Sequence, residues 1–224
     1  MKLFAKPSTA ILGSLSAIVA VFCFSTNDVA IKFISKDYAL HLVVLIRSLV
    51  GLIVLFLFIV PLSGGVKVLY TNRLGLHLLR GFCVVFANIT FFLGLAALPL
   101  AEGVAIFFIS PLLITIFSVV FLKEIVGPRR WVAVTIGLIG VLVILRPGSA
   151  TFQTASLLPL SAAFGYATLH MLTRYIGKTE SAASMSFYIQ LTFLVVCLTL
   201  GLTIGDGKFS GWNDPSLEFL FRAW

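Results

Sequence analysis

The sequence predicts an all-α, polytopic transmembrane helix bundle with about seven spanning helices and the start of an eighth. Three observations predict it. The 224 residues are 60% hydrophobic and 11% charged, whereas a soluble domain carries roughly a quarter charged residues to solvate its surface. The charges are segregated, leaving seven stretches free of Asp, Glu, Lys and Arg: Lys6 to Asp28, Arg47 to Lys67, Arg80 to Glu102, Glu102 to Lys123, Arg130 to Arg146, Arg146 to Arg174 and Glu180 to Asp206. These runs are continuously apolar, without the period-two alternation of a barrel strand. Finally, a short pattern recurs in opposite orientation, as described below.

The expected helices, in order, are 9–34, 38–60, 74–96, 98–122, 129–146, 155–177 and 183–204. A span needs about 20 residues to cross ~30 Å of hydrocarbon at ~1.5 Å per residue. The first helix follows Lys2 and Lys6 as a signal peptide would, but it is too long for a signal h-region and no small-x-small cleavage site follows it, so it reads as retained. The second leads into a loop from Pro61 to Arg73 that carries the Gly64-Gly65 turn signal. In the fourth, Pro111 follows Ser110 near mid-helix, removes a backbone hydrogen bond and predicts a kink. The fifth is the short one and spans only if the turns at Pro128 and Pro147 lie among the headgroups. Short connections force neighbouring helices to run antiparallel. The segment from Asp206 to Trp224 begins as a polar loop, turns apolar at Leu217 and reads as the opening of an eighth helix.

Net charge is +8, and its distribution excludes a nucleic-acid partner as the explanation. Threading the helices from a cytoplasmic N-terminus collects Lys2, Lys6, Lys67, Arg73, Arg80, Lys123, Arg129, Arg130, Arg174 and Lys178 on the inner side and leaves mainly Lys36, Arg146 and Lys208 outside. That is the positive-inside bias, and it predicts a multi-pass protein of a bacterial inner membrane whose direct partners are the lipid bilayer and a small-molecule substrate. Cys23, Cys83 and Cys197 lack metal-ligand or disulfide spacing and read as small buried hydrophobes. There is no P-loop, G-x-G-x-x-G, H-E-x-x-H or G-x-S-x-G motif, so neither an enzyme nor a cofactor or metal is expected.

Lys32-Phe33-Ile34-Ser35-Lys36 ends the first helix and Arg174-Tyr175-Ile176-Gly177-Lys178 ends the sixth. Five helices, an odd number, separate the copies, which places them in opposite orientations like the inverted repeats of secondary carriers. Ionisable groups within the spans mark the candidate substrate or proton pathway, because each costs ~2.5–3.5 kcal/mol at a helix centre unless it is paired or faces a water-filled cavity. Asp28 and Lys32, four apart on one face, are placed to pair; the alternative is that both are interfacial and snorkel outward, the reading favoured for Lys32 and left open for Asp28. On ideal helices Asp28 and Arg47 lie ~13 and ~15 Å from the turn near Asp37, at similar depth. Glu102 stands in the first turn of the fourth helix, where it either lines the same cavity or complements the positive end of its helix. From the later helices, His170 aligns with Asp28 under the repeat and Gln190 with Ser48. Both are candidates for the cavity or for interhelical hydrogen bonds, as are Asn27, Asn88 and Tyr166. His41 and His77 read as interfacial. Gly201-x-x-x-Gly205 and Gly137 with Gly140 read as close-packing positions, and the abundant Phe as lipid and core packing.

The stretch Pro99-Leu100-Ala101-Glu102-Gly103, Ser110-Pro111-Leu112, Phe121-Leu122-Lys123-Glu124, Pro128-Arg129-Arg130-Trp131, Gly137-Leu138-Ile139-Gly140-Val141 and Arg146-Pro147-Gly148 resembles the fourth and fifth helices of an EamA domain of the drug/metabolite transporter superfamily. Asp28 with Lys32, and Arg47, resemble that family's first repeat. The resemblance implies two inverted five-helix repeats with both termini cytoplasmic. Residues 9–146 would form the first repeat, and 155–224 the start of the second. It also implies that Glu124 with Arg129 and Arg130 is a structural ion-pair cluster at a cytoplasmic turn. A chain ending at Trp224 would need a partner, such as a second copy, to close the cavity. The function expected is secondary transport of small organic metabolites by alternating access. The alternatives are a membrane enzyme acting on lipid-linked substrates and a non-transporting fragment.

Overall fold

The computed structural model describes residues 9–145, 153–211 and 213–223, and among them the chain is built of helices and turns without strands. Arg146, Pro147, Gly148 and Trp224, which the sequence places at repeat boundaries, lie outside the described residues. The helices are α1 (Thr9–Ile34), α2 (Leu40–Leu62), α3 (Leu74–Ala97), α4 (Leu100–Leu122), α5 (Pro128–Leu145), α6 (Leu157–Ile176), α7 (Ala182–Ile204) and the short α8 (Pro215–Phe221). Among the described residues six helices, α1 to α4 with α6 and α7, are long and apolar enough to cross a membrane. The expected short span is helical over Pro128–Leu145, up to the point where the described residues stop.

Local chemistry explains where helices start, bend and stop. Pro128 and Pro215 open α5 and α8 at positions where a missing N–H costs nothing. Ser181 caps α7 by accepting from the Ser184 amide (3.0 Å), and Asp214 caps α8 by accepting from Ser216 and Leu217 (2.8 and 3.2 Å). Pro61 cannot donate back into α2, and the turn before it, Leu55–Ile59, widens to π geometry with the Val60 amide bonded to the Leu55 carbonyl. Gly64 and Gly65, both at positive φ, then reverse the chain. Pro111 has the predicted effect: α4 is broken into Leu100–Phe107 and Ser110–Leu122.

The outside of the molecule is apolar. Leu15, Phe22, Ile53, Leu57, Phe82, Ile136 and Val195 all stand exposed along the helices, which only a lipid solvent tolerates over so large a continuous area. This is a multi-pass membrane protein. Packing inside is centred on α3 against α6 and α2 against α7, with α1 and α5 at the periphery. Small residues permit the close approach of α6 to its neighbours: a Cβ on Gly165 would lie 3.1 Å from the Cys83 carbonyl and 3.2 Å from Ala87 Cβ of α3, while the fully buried Ala163 and Ala167 pack with Leu113 of α4. Gly201 and Gly205 are buried as expected, but Gly137 and Gly140 face open space and close no helix contact among the described residues.

Interhelical bonds confirm antiparallel threading. Residues 71–80 bond 173–185 at the end where α1 begins, and Ser216 donates to the Leu93 carbonyl (2.9 Å) at the other. The first of these, the basic end, also carries exposed Lys67, Arg73, Lys123, Arg129, Arg130 and Lys178.

Candidate functional site

Two adjoining cavities, of about 240 and 450 Å³, lie between α1, α2, α3, α4, α6 and α7, and they share Phe24, Asn27, Arg47 and Asn88. Arg47 enters from α2. Its Nη2 donates to Asn88 Oδ1 (3.0 Å), and its guanidinium carbon lies 5.4 Å from the Phe92 ring centre and 5.2 Å from that of Phe193. The cation is thus held between two ring faces, which compensates for the water it has lost. Asn88 is itself oriented through Nδ2, which donates to the Val84 carbonyl one turn back (3.1 Å). Asp28 lines the smaller cavity, with Asn27 Nδ2 3.4 Å from its Oδ1.

Gln190 reaches the larger cavity because α2 has no side chain where the two helices cross. A Cβ on Gly51 would lie 2.2 Å from Gln190 Nε2. Ring contacts build the remaining wall. Phe91 and Phe107 lie 4.6 Å apart between centres, and Phe107 and Tyr166 lie 5.2 Å apart. The break at Pro111 matters here, since Phe107 and Phe108 end the first segment of α4 and both face the cavity.

Of the residues expected in the pathway, Asp28, Arg47 and Gln190 come together. Glu102 and His170 do not line either cavity. Glu102 occupies the first turn of α4, near its positive pole. His170 packs edge-on against Tyr166, with ring centres 4.4 Å apart. Asn27, Asn88 and Tyr166, weighed only as secondary candidates, are lining residues. So are Phe24, Phe91, Phe92, Phe107, Phe108 and Phe193, which composition alone assigns to packing. No periodicity separates a cavity-facing Phe from a lipid-facing one when the whole helix is apolar.

Several side-chain expectations are corrected. Lys32 neither pairs with Asp28 nor snorkels outward. Its Nζ donates to the carbonyls of Leu95, Ala96 and Leu98, closing the C-terminal end of α3, whose last carbonyls have no intrahelical partner. Glu124 does not join Arg129 and Arg130, which are exposed; its Oε2 accepts from Arg174 (2.9 Å), brought there because Lys123 leaves α4 in the left-handed region (φ 54°). His41 and His77 lie in the first turns of α2 and α3, and both are fully buried there.

With this geometry in place, comparison with known proteins gives a direct match to the EamA-like transporter family over residues 11–146. The chain belongs to this family. Among curated relatives it is 32% identical over 207 residues to a riboflavin transporter of Vibrio cholerae, covering 91% of this chain and 67% of that protein. It is 30% identical over 181 residues to an S-adenosylmethionine uptake transporter of Rickettsia bellii, covering 81% and 62%. A pseudopaline exporter of Pseudomonas aeruginosa is 24% identical over 213 residues, 95% of this chain and 70% of the relative. The chain therefore spans about two thirds of the length of these relatives. No solved structure gives a significant match. Family and relatives are transporters of small metabolites, not enzymes.

Proposed function

We propose that this chain is a secondary carrier working by alternating access, with residues 9–146 as one repeat and 155–224 as the beginning of its inverted partner. The observation that carries the reading is the placement of the polar cavity. Asp28, Arg47 and Asn88 face it from the first set of helices, and Gln190 and Tyr166 from the second, so a substrate held there touches both elements that must rock against each other. The basic end faces the cytoplasm of a bacterial inner membrane, following the bias of exposed Lys and Arg.

The lining also narrows the substrate. Carboxamides at Asn27, Asn88 and Gln190 offer donors and acceptors side by side, and the surrounding rings offer stacking faces. That combination suits a flat heteroaromatic metabolite with amide-like edges. Riboflavin and S-adenosylmethionine, the molecules named for two relatives, both carry such a ring system, and they are the first substrates to test.

Membrane vesicles bearing the protein and preloaded with unlabelled riboflavin or S-adenosylmethionine should take up the labelled compound by counterflow. Arg47→Ala, which empties the space between Phe92 and Phe193, should abolish the exchange. Absence of exchange with either compound, in vesicles shown to contain folded protein, refutes the carrier reading for this substrate class.

A further inference from the structure

Below the cavity, toward the basic end, the two sets of helices are joined by polar side chains rather than by the small apolar seam found at mid-depth. Arg80 lies eight residues before Asn88 on α3, ~12 Å away along the helix. It is buried, with 6% of its surface exposed. Its Nε donates to Thr173 Oγ1 of α6 (2.8 Å) and its Nη1 to the Met185 carbonyl of α7 (2.9 Å), so one guanidinium ties three helices together. One turn nearer the surface, Glu180 of the α6–α7 turn accepts from Thr71 Oγ1 (2.7 Å) and from Ser184 Oγ (3.3 Å). Its Oε2 also lies 3.5 Å from Nε2 of the fully buried His77, whose ring packs on Tyr188 (4.5 Å). Ser181 Oγ donates to the Val68 carbonyl nearby (3.4 Å).

These groups lie along the contacts of α3, α6 and α7 on the basic side of the cavity, and every one of them can exchange its partner for water. An apolar contact that opened to water would expose surface at a penalty proportional to its area. A hydroxyl, amide or carboxylate that opens to water is rehydrated, so its net contribution is small. An interface that must part and reclose in each cycle is better served by the second kind.

We propose that Arg80 and Glu180 are gating residues: with Thr71, His77, Thr173 and Ser184 they form a lock that shuts the basic end of the cavity and releases when substrate passes on that side. The assignment rests on the carrier reading, but its test does not require transport. Cys83, 8% exposed, sits on α3 between Arg80 and the cavity and serves as a native reporter.

In a Cys23→Ser, Cys197→Ser background, Cys83 should react slowly with a membrane-impermeant maleimide. Glu180→Gln and, separately, Thr173→Val should each raise its labelling rate about tenfold, the effect of losing one charge-assisted bond. The rise should occur only from the membrane face at which the exposed position Lys67→Cys is labelled. Arg130→Gln, which removes an exposed charge at the same end, should leave Cys83 protected. Labelling unchanged in both lock variants overturns the proposal. So does a rise from both faces alike, which would mean general loosening. If Cys83 is gated in this way but no labelled riboflavin or S-adenosylmethionine exchanges, the lock stands and the substrate reading falls.

Discussion

Replacing Gly51 with Ala isolates one contact that shapes the cavity. The new Cβ would stand 2.2 Å from Gln190 Nε2, 2.8 Å from its Cδ and 3.4 Å from its Oε1. The obstructing atoms are the far end of a flexible side chain, so Gln190 turns away, into the space of the larger cavity, rather than forcing α2 and α7 apart. Two opposed terms then govern stability. Ala in place of a mid-helix Gly gains ~0.5–1 kcal/mol, and an off-rotamer Gln loses ~0.5–1.5 kcal/mol. Thermal stability in detergent should therefore stay within about 1 kcal/mol of wild type. Function should not be spared, because a carboxamide has been moved into the volume that substrate occupies. An overpacking cost of ~1–3 kcal/mol on the bound state corresponds to a rise of roughly fivefold to a hundredfold in the apparent KM for counterflow. The double variant Gly51→Ala/Gln190→Ala removes the displaced group and should recover most of that affinity, giving a non-additive cycle. An unchanged KM with raised stability in the single variant would show that Gln190 does not rest on Gly51, and the account of the cavity wall would be wrong.

Three further outcomes are expected. Lys32→Met leaves the carbonyls of Leu95, Ala96 and Leu98 without their shared donor. At ~1–3 kcal/mol for each buried group left unbonded, amide hydrogen exchange at the end of α3 should accelerate well before exchange at Ala162 to Ala167 does. Asp28→Asn should abolish pH-driven accumulation while sparing counterflow, if Asp28 carries a coupled proton; unchanged accumulation removes it from the mechanism. The lock should also respond to acid with a defined sign. Burial works against the Glu180 charge, but bonds from Thr71, His77 and Ser184 outweigh it and hold the carboxyl below its ordinary value of 4.5. A depressed carboxyl contributes stability above its unfolded pKa and loses it as pH falls through the folded one. Around Glu180 stand His77 and Arg80 from α3, Thr71 from the α2–α3 connection and Ser184 from α7. The part of the Cys83 protection that depends on Glu180, read as the difference in maleimide labelling between wild type and Glu180→Gln after brief acid exposure, should therefore persist from neutral pH down to 4.5 and fail only below it.

Spans, threading and helix punctuation were legible in the residues because each depends on local chemistry. Apolar runs between charges gave the helices to within about two residues. Pro111 broke α4 where a missing N–H requires it, and the basic residues collected at one end. Depth was legible too: Asp28 and Arg47, counted back from one turn, do line the same cavity. Partnership was not. Lys32 and Asp28 are four apart on one helix face, yet Lys32 bonds carbonyls more than sixty residues away, where α3 ends beside it. Glu124 stands near Arg129 and Arg130 in sequence, but the turn at Lys123 and the packing of α6 on α4 bring it Arg174. The sequence by itself determined which segments cross the membrane and in what order, since that is set by the transfer of each segment into lipid. Only the tertiary structure decided which of many apolar and polar side chains face the cavity or seal its basic end, because every helix here is apolar around most of its circumference, and the face turned inward is chosen by neighbours distant in the chain.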